Sequence, residues 1–563
     1  MSSYDNPVRS NIYAIHLSKD APSILTPESD EETVKTTDTG AKEAQVMPSK
    51  NVRIDFEGIQ NRIVALPLPE KNYSGLDTRA DGKIFFVQRE PGTPQATLMS
   101  YDIAKRKADV FVPGVSNYVM TADGKKMLYI SNNAYYIVPT ATKPNGTDGK
   151  LALTDMKVWS DPEKEWKQMF EEVWRIERDF FYVDNLHGAD WKQIKTKYEK
   201  FLPYVSHRED LSYLFNDMMA ELVIGHNYVN QGDYPDALNV NVGLLGADYE
   251  MNGGRYRIKK ILSGLNWNPG FSAPLTQPGV NVKEGDYILS VNGVPVDEKN
   301  NIYSVFQNTA GKQTRIVVNS KPTSEGAREY TVVPVANEGN LRLMNWVEEN
   351  RKKVDKLSGG RLAYVYLPNT AGDGYTFFNR YYFSQLDKEG VVVDERYNGG
   401  GSAADYIIDM LNRQVTNYWK NRDGAVMRTP EAVIDGPMAM VTNGYAGSGG
   451  DLLPFLFREK KMGPLVGTTT NGILVGIYNY PVLMDGGSVT APRLGIFSKD
   501  GKWIIENEGV APDVEVEQMP KDVIAGRDPQ LEKAVELVVS KLTPRKEIKA
   551  PPPPVRAVNS KTY

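Results

Sequence analysis

The sequence contains no cysteine. Disulfides, thiol nucleophiles and thiolate metal sites are therefore excluded, and cysteine usage says nothing about compartment. Histidine is almost as scarce: His16, His187, His207 and His226 are the 4 in 563 residues, so few side chains can serve as a base near neutral pH. No apolar run approaches the ~20 residues of a membrane span. The opening Met1-Ser2-Ser3-Tyr4-Asp5 lacks the charged-then-apolar pattern of a secretory leader. A net charge of −5 leaves no basic footprint for nucleic acid. No Gly-x-x-x-x-Gly-Lys-[Ser/Thr] loop occurs, so no nucleotide requirement is expected. No cofactor motif or metal-ligand set is read.

What is present is ordinary globular composition, 40% apolar and 24% charged. At about 150 residues per domain the length predicts three to four domains. Residues 1–150 are β-rich and carry a repeat. Arg79-Ala80-Asp81-Gly82-Lys83 precedes one apolar strand and Thr121-Ala122-Asp123-Gly124-Lys125 precedes another. The offset matches the ~40-residue period of a propeller blade, with Asp-Gly as the hairpin turn. Asn11–Leu17 reads as a strand of an earlier blade, and the acidic, Ser/Thr-rich span Pro27–Ala44 as a mobile insertion. Two or three blades do not close a ring, so the expectation is a partial propeller and a natural protein that extends upstream.

Residues 155–235 read as helical. Ser160-Asp161-Pro162-Glu163 and Ser206-His207-Arg208-Glu209 are capping boxes, each followed by apolar residues at helical spacing. Gly225 is read as the stop of the second helix, with His226 just beyond. Residues 238–336 form a β unit in which Val282–Val296, with its Asn292-Gly293 turn, resembles a PDZ domain. That resemblance implies that Gly243, Leu244, Leu245 and Gly246 bind a peptide carboxylate. The other reading is a unit that only positions its neighbours. Residues 340–545 alternate buried apolar strands with helices, the mark of a largely parallel sheet. The proline-rich 546–563 is expected to be a disordered tail.

In that last domain, Met438–Thr442 runs into Asn443-Gly444-Tyr445-Ala446-Gly447-Ser448-Gly449-Gly450-Asp451 and then an apolar helix. A serine on a glycine turn between strand and helix has the exposure a nucleophile needs, and the helix start offers free amides to an oxyanion. A serine that only caps the helix is the alternative. A second buried strand ends in Asp394-Glu395-Arg396-Tyr397-Asn398-Gly399-Gly400-Gly401. If the two strands are neighbours, their tips lie together. His226 is the remaining candidate base, since His16 lies in a blade, His207 in a cap, and His187 in a loop where it can bond to backbone. A carboxylate follows the expected strand Trp503–Ile505, in Glu506-Asn507-Glu508-Gly509-Val510-Ala511-Pro512-Asp513.

In this order, Gly-His-Asn-Tyr-Val, the PDZ unit, Asp-x-Arg-x-Asn-Gly-Gly-Gly, Gly-Ser-Gly-Gly-Asp and Glu-Asn-x-Gly-Val-x-Pro-Asp resemble the tricorn protease family, relatives of the carboxyl-terminal processing peptidases. The resemblance implies a multidomain chain: the end of a second β-propeller, a helical segment, a PDZ-like domain and an α/β core of the crotonase/ClpP-like type. It implies a serine peptidase acting on peptides or unfolded chains. Ser448 would attack and His226 would move the proton. Amides of Gly449 and of Gly400, in the Gly399–Gly401 run, would hold the oxyanion, and Glu506 would be the acidic member. It further implies a homo-oligomer, possibly a hexamer, with no cofactor. Compartment stays open between cytoplasm and periplasm.

Two departures stand out. Archaeal tricorn has a serine before the histidine, where this chain has Gly225, and an acidic residue after the nucleophile, where it has Gly449. A water in the space left by Gly225, or Asn227 or Tyr228, is expected to replace the missing hydroxyl. Glu506 is expected to face His226 and Glu508 to be solvated. The alternative pairs Glu506 with Arg396 for the fold alone. A Ser-Lys mechanism would need a lysine near Val466–Gly472, where none occurs, Lys460 and Lys461 coming too early. A non-catalytic peptide-binding scaffold is the other class.

Overall fold

The computed structural model describes residues 9–25 and 52–552, apart from 80, 91, 92, 94, 231, 479 and 545–547. The expected insertion Pro27–Ala44 and most of the proline-rich tail lie outside the described residues. The chain forms two compact units that divide between Trp159 and Ser160.

In the first unit six strands run in sequence order as an antiparallel meander, from Asn72–Thr78 to Ala134–Pro139. Its long strand Lys107–Met120 changes partner at Val115. Residues 107–115 pair with Ala96–Asp102, and residues 115–120 with Lys126–Ser131. Gly114, at φ 70, sits at the crossover. With the bridge between Tyr136 and Lys150, the meander reads as two successive four-stranded groups. Both Asp-Gly turns are closed alike, Gly82 N–H donating to Arg79 O and Gly124 N–H to Thr121 O. This is the repeat seen in the sequence.

The second unit begins with helices Pro162–Phe180, Trp191–Glu199 and Arg208–Ala220. Asp161 caps the first, its side chain accepting from Lys164 N–H. The third is capped by His207 paired with Asp210, one residue on from the expected Ser206/Glu209 box. These helices bury Phe170, Val173, Leu211 and Phe215 together with Leu483, Val489 and Ala491 from the far end of the chain. A PDZ-like sheet follows, with strand order Ala247–Asn252, Arg255–Ile261, Tyr287–Val291, Thr314–Asn319, Arg328–Val332.

The last sheet is wholly parallel: Leu362–Tyr366, Gly390–Asp394, Met438–Thr442, Leu465–Gly467 and Val514–Glu515. Every residue of its three central-to-edge strands 362–366, 390–394 and 438–442 is buried, which is why they read as continuous apolar runs. Helices on both faces complete the core, Pro529–Lys541 among them. The multidomain expectation holds in this respect.

Two local expectations fail. The helix before His226 ends at Ala220, five residues short of Gly225, so that glycine is not its cap. Trp503–Ile505 is not a ladder strand: it makes a single bridge, Phe497 to Trp503, and then turns sharply, with Ile505 at φ 75 and Asn507 at φ 62.

Candidate active site

Asp394 lies opposite Val441 in the parallel pairing. The glycine turns that follow the two strands therefore emerge side by side at the carboxyl edge of the sheet, where parallel α/β folds place their sites. The first turn is anchored from below. Arg396 is buried between Asp394, at 2.7 and 2.9 Å, and Asp528, at 2.9 and 3.0 Å, with its guanidinium 5.4 Å from the Trp346 ring centre. Removing one member of such a buried set costs about 3–5 kcal/mol. Arg396 thus serves the fold and is not the partner of Glu506.

Ser448 opens the helix Gly449–Glu459 with φ 59 and ψ −117. A non-glycine residue held there costs about 1–3 kcal/mol and marks a site whose geometry is imposed by its surroundings. Its N–H is shared between Ile473 O at 2.9 Å and Asp451 Oδ2 at 2.8 Å. Gly400 packs directly on it: a Cβ at Gly400 would stand 2.6 Å from Ser448 Cβ and 3.0 Å from Gly449 N.

The allocation of amides corrects one expectation. Gly400 N–H donates to Asn398 Oδ1 at 2.9 Å and Gly399 N–H to Pro368 O at 3.0 Å. Neither is available to an oxyanion. Among the described residues Gly449 N–H and Gly401 N–H have no acceptor, and these are the two amides that the turns leave open.

His226 is 9% exposed, and its backbone lies in the left-handed region at φ 58. Its carbonyl accepts from Thr490 Oγ1, and the strand pair Val229–Asn230 with Ser488–Val489 ties its segment to a stretch between the last two strands of the parallel sheet. The Tyr228 ring stands edge-on at 5.9 Å. Nδ1 is buried without a partner. No hydrogen bond joins the Ser448 hydroxyl to the imidazole; such contacts are often loose before substrate binds.

Ile473 links the two. A Cβ at Gly225 would meet its Cγ2 at 2.3 Å and its Cβ at 2.6 Å, while a Cβ at Gly447 would meet its Cγ1 at 3.0 Å. The residues before His226 and before Ser448 thus pack on one side chain. The space expected for a water beside Gly225 is filled by that side chain. Asn227 does not take the place of the missing hydroxyl either, its Nδ2 donating to Met219 O.

Glu506 reaches the same place by a different contact. Its Oε1 accepts from Gly225 N–H at 2.9 Å, and its Oε2 from Leu474 N–H at 2.7 Å and Val475 N–H at 2.8 Å. It therefore holds, through the backbone, the peptide that leads into His226. Glu508 is exposed. The left-handed turns at Ile505 and Asn507 direct Glu506 inward.

Asp451 does the matching task on the serine side. Fully buried, it accepts from Ser448 N–H, from Gly472 N–H at 2.8 Å and from Ile473 N–H at 3.1 Å. Burial raises its carboxyl above the ordinary value and the amides draw it back. Glu395, also fully buried, is pushed well up by burial and then by the charges of Asp451 and Asp394, which favours its neutral form. Four successive amides, 472 to 475, are thus held by two carboxylates. The Ser-x-x-Asp spacing at the helix start was a visible signal for Asp451; nothing local marked Ile473.

The other histidines lie elsewhere in bonding terms. His187 Nδ1 pairs with Leu222 O and Nε2 with Tyr182 Oη; His207 caps a helix. Lys460 and Lys461 are exposed at the far end of the helix Gly449–Glu459, ~16 Å from its start, which leaves Ser448 without a lysine partner there. Among the described residues no group of three His, Asp or Glu is arranged to hold a metal.

The PDZ loop also departs from expectation. Gly243 N–H donates to Phe306 O, Leu244 N–H to Val335 O, and Gly246 N–H to Glu338 Oε2 at 3.1 Å. Between the edge strand and the short helix Ile302–Val305 remains a cavity of about 10 Å³, too small for a side chain. Gly243 is a glycine because Thr309 Oγ1 lies 2.2 Å from where its Cβ would be. With the chain's own Glu338 on the loop, three of the four expected peptide-binding amides are already spent.

Three family profiles match the chain: the Tricorn protease C1 domain at residues 162–220, the Tricorn protease PDZ domain at 243–337 and Peptidase family S41 at 361–516. The chain is 32% identical over 515 residues to Tricorn protease homolog 1 of Streptomyces coelicolor, covering 88% of this chain and 48% of that one. It is 32% identical over 508 residues to the Tricorn protease homolog of Saccharolobus solfataricus (88% and 47%), and 29% identical over 459 residues to the Tricorn protease of Thermoplasma acidophilum (81% and 42%). The crystal structure of the tricorn protease superposes with a TM-score of 0.84 at 25% identity, over 95% of this chain and 53% of that one. The chain spans about half the length of the curated relatives it matches.

Proposed function

The chain belongs to the tricorn protease family, and on that premise we propose that it is a serine peptidase that hydrolyses peptides or unfolded chains through an acyl-enzyme. Ser448 Oγ attacks the scissile carbonyl while His226 takes its proton, then returns it to the leaving amine. Water enters, again deprotonated by His226, and releases the acyl group. The oxyanion sits at the positive end of the helix Gly449–Glu459, on Gly449 N–H with Gly401 N–H as the second donor. Glu506 is a positioning residue acting through Gly225.

One observation carries this reading: Ser448 in a left-handed conformation at a helix start, pressed against the second glycine turn, with a free amide next to it. A fluorophosphonate probe should label the wild-type chain and not Ser448→Ala. Peptide hydrolysis should fall about four to six orders of magnitude in Ser448→Ala or His226→Ala. Unchanged hydrolysis in Ser448→Ala refutes the proposal. Glu506→Gln should lower kcat with folding intact while Glu508→Gln is nearly silent.

The missing Ser448–His226 hydrogen bond favours one other reading, a peptide-binding scaffold on a peptidase fold. Peptide binding without labelling or turnover would identify it. Assembly into a homo-oligomer, with a hexamer as the form the family resemblance implies, is proposed; mass measurement in solution tests it. No helix among the described residues is long and apolar enough to cross a membrane; the compartment, cytoplasm or periplasm, is left to fractionation.

A further inference from the structure

Each of the two turns that meet at Ser448 carries an exposed tyrosine three residues upstream of its key position, Tyr397 before Gly400 and Tyr445 before Ser448. They are 52% and 74% exposed, and their rings stack at 5.5 Å with 27° between planes. Stacking of two solvent-facing rings is usually loose. Here it is built from beneath, because both backbone N–H groups donate to one acceptor, Asn443 Oδ1, at 3.0 and 3.2 Å. Asn443 is itself buried. Tyr397 is also held at φ 65, a conformation with a cost that a bulky residue bears only where its surroundings impose it.

The platform continues inward. Trp346 meets Tyr397 edge-on at 6.3 Å and Tyr366 at 5.0 Å, and the buried Arg396 stacks on its ring. Together with Arg342 and Leu343 these rings line a cavity of about 360 Å³. Its single charge is neutralised: Arg342 is bonded to Glu338 and to Asp248. The lining is therefore aromatic, with its one charge paired, and it lies against the turn whose Gly400 touches Ser448.

We propose that this aromatic cavity is a substrate subsite that takes a large apolar side chain, aromatic above all, from the peptide bound at Ser448. The proposal rests on the peptidase reading of that serine. Rings held at fixed angles accept another ring edge-on or offset. The absence of a free charge in the lining disfavours lysine or glutamate, whose desolvation nothing here would offset. Specificity of this kind reaches about 10- to 100-fold.

The experiment separates binding from chemistry. Fluorescein-labelled Ala/Gly hexapeptides, each with one Phe, Leu, Lys or Glu placed at each position in turn, are titrated into the full Ser448→Ala chain and followed by anisotropy. Phe at one position should tighten Kd about tenfold or more over Ala, with Leu between them and Lys and Glu no better than Ala. In the same background Tyr397→Ala should abolish the Phe advantage. Tyr445→Ala, on a side chain exposed enough to leave folding intact, should at least halve it. A Phe advantage that survives both substitutions, or a preference for Lys or Glu, overturns the subsite. So does the lack of a Phe advantage at every position. Turnover and fluorophosphonate labelling of the wild-type chain are read separately. A Phe preference that depends on Tyr397 without any labelling keeps the subsite and sinks the peptidase reading instead.

Discussion

Gly225→Ser introduces the hydroxyl that the tricorn resemblance leads one to expect at this position, and the structure says that it should fail. The added Cβ would lie 2.3 Å from Ile473 Cγ2 and 2.6 Å from Ile473 Cβ, about 1 Å inside ordinary carbon contact of ~3.5 Å. Gly225 is not in the left-handed region, so the cost is packing alone, about 1–3 kcal/mol. The displaced Ile473 holds Ser448 N–H through its carbonyl and Asp451 through its amide, so the push is transmitted to Ser448. A misplacement of about 1 Å lowers kcat/KM by roughly 10²-fold. Ile473→Gly alone should destabilise by about 2–4 kcal/mol through lost packing. The double variant transposes the glycine: it removes the atoms at 2.3 and 2.6 Å and restores room for the serine. Urea unfolding of all four chains should therefore yield a coupling of about 1–3 kcal/mol in favour of the double variant, with hydrolysis recovering in parallel. Additivity within about 0.5 kcal/mol would mean that Ile473 and residue 225 do not touch, and the account of His226 positioning would fall.

Asp451→Asn keeps the shape but turns a donor toward the amides of Ser448, Gly472 and Ile473; kcat should fall about 10- to 100-fold with KM little changed, and an unaltered kcat would remove Asp451 from the positioning scheme. Glu338→Ala frees Gly246 N–H, so a peptide with a free C-terminus should bind the variant and not the wild-type chain, while the amidated peptide binds neither; equal behaviour of wild type and variant would show that Glu338 does not occupy the loop. Glu177 in the first helix has both carboxylate oxygens buried without a partner, and burial raises its carboxyl well above 4.5. Below that value both states are protonated; as pH rises through it the unfolded chain ionises first, so stability falls with rising pH until the folded value is passed. Glu177→Gln should flatten that decline in urea midpoints measured from pH 4.5 to 7, and an unchanged slope would refute the assignment.

Much of this site was legible because it depends on element order and apolar pattern. Gly390–Asp394 and Met438–Thr442 are buried on both faces, and such strands announce themselves as unbroken apolar runs. Their adjacency then brought the two glycine turns together. His226 could be chosen by elimination among four histidines. What stayed hidden depends on backbone dihedrals and on contacts distant in the chain. A glycine gives the same local signal whether it is chosen for φ or for space. Gly225 was read as a helix stop, yet it is there to admit Ile473. Gly243 was read as a ligand loop, yet it is there to admit Thr309. Gly400 was expected to donate its amide, but Asn398 two residues before it closes a turn and consumes that donor.

The same limit explains Glu506. The expected strand Trp503–Ile505 would lead into Glu506 on an extended chain, and left-handed residues on both sides of Glu506 prevent that. What replaces it is an accounting of donors. Residues 472 to 475 present four successive N–H groups that no ladder satisfies, and buried donors of this kind must be paired. Two carboxylates do so, Asp451 from the serine side and Glu506 from the histidine side. A backbone segment held at both ends by charge-assisted bonds is stiff, and it spans the gap between the residues whose spacing matters most. Where a hydroxyl was expected between acid and histidine, the contact runs through the backbone: Glu506 accepts from Gly225 N–H and so holds the peptide that leads into His226.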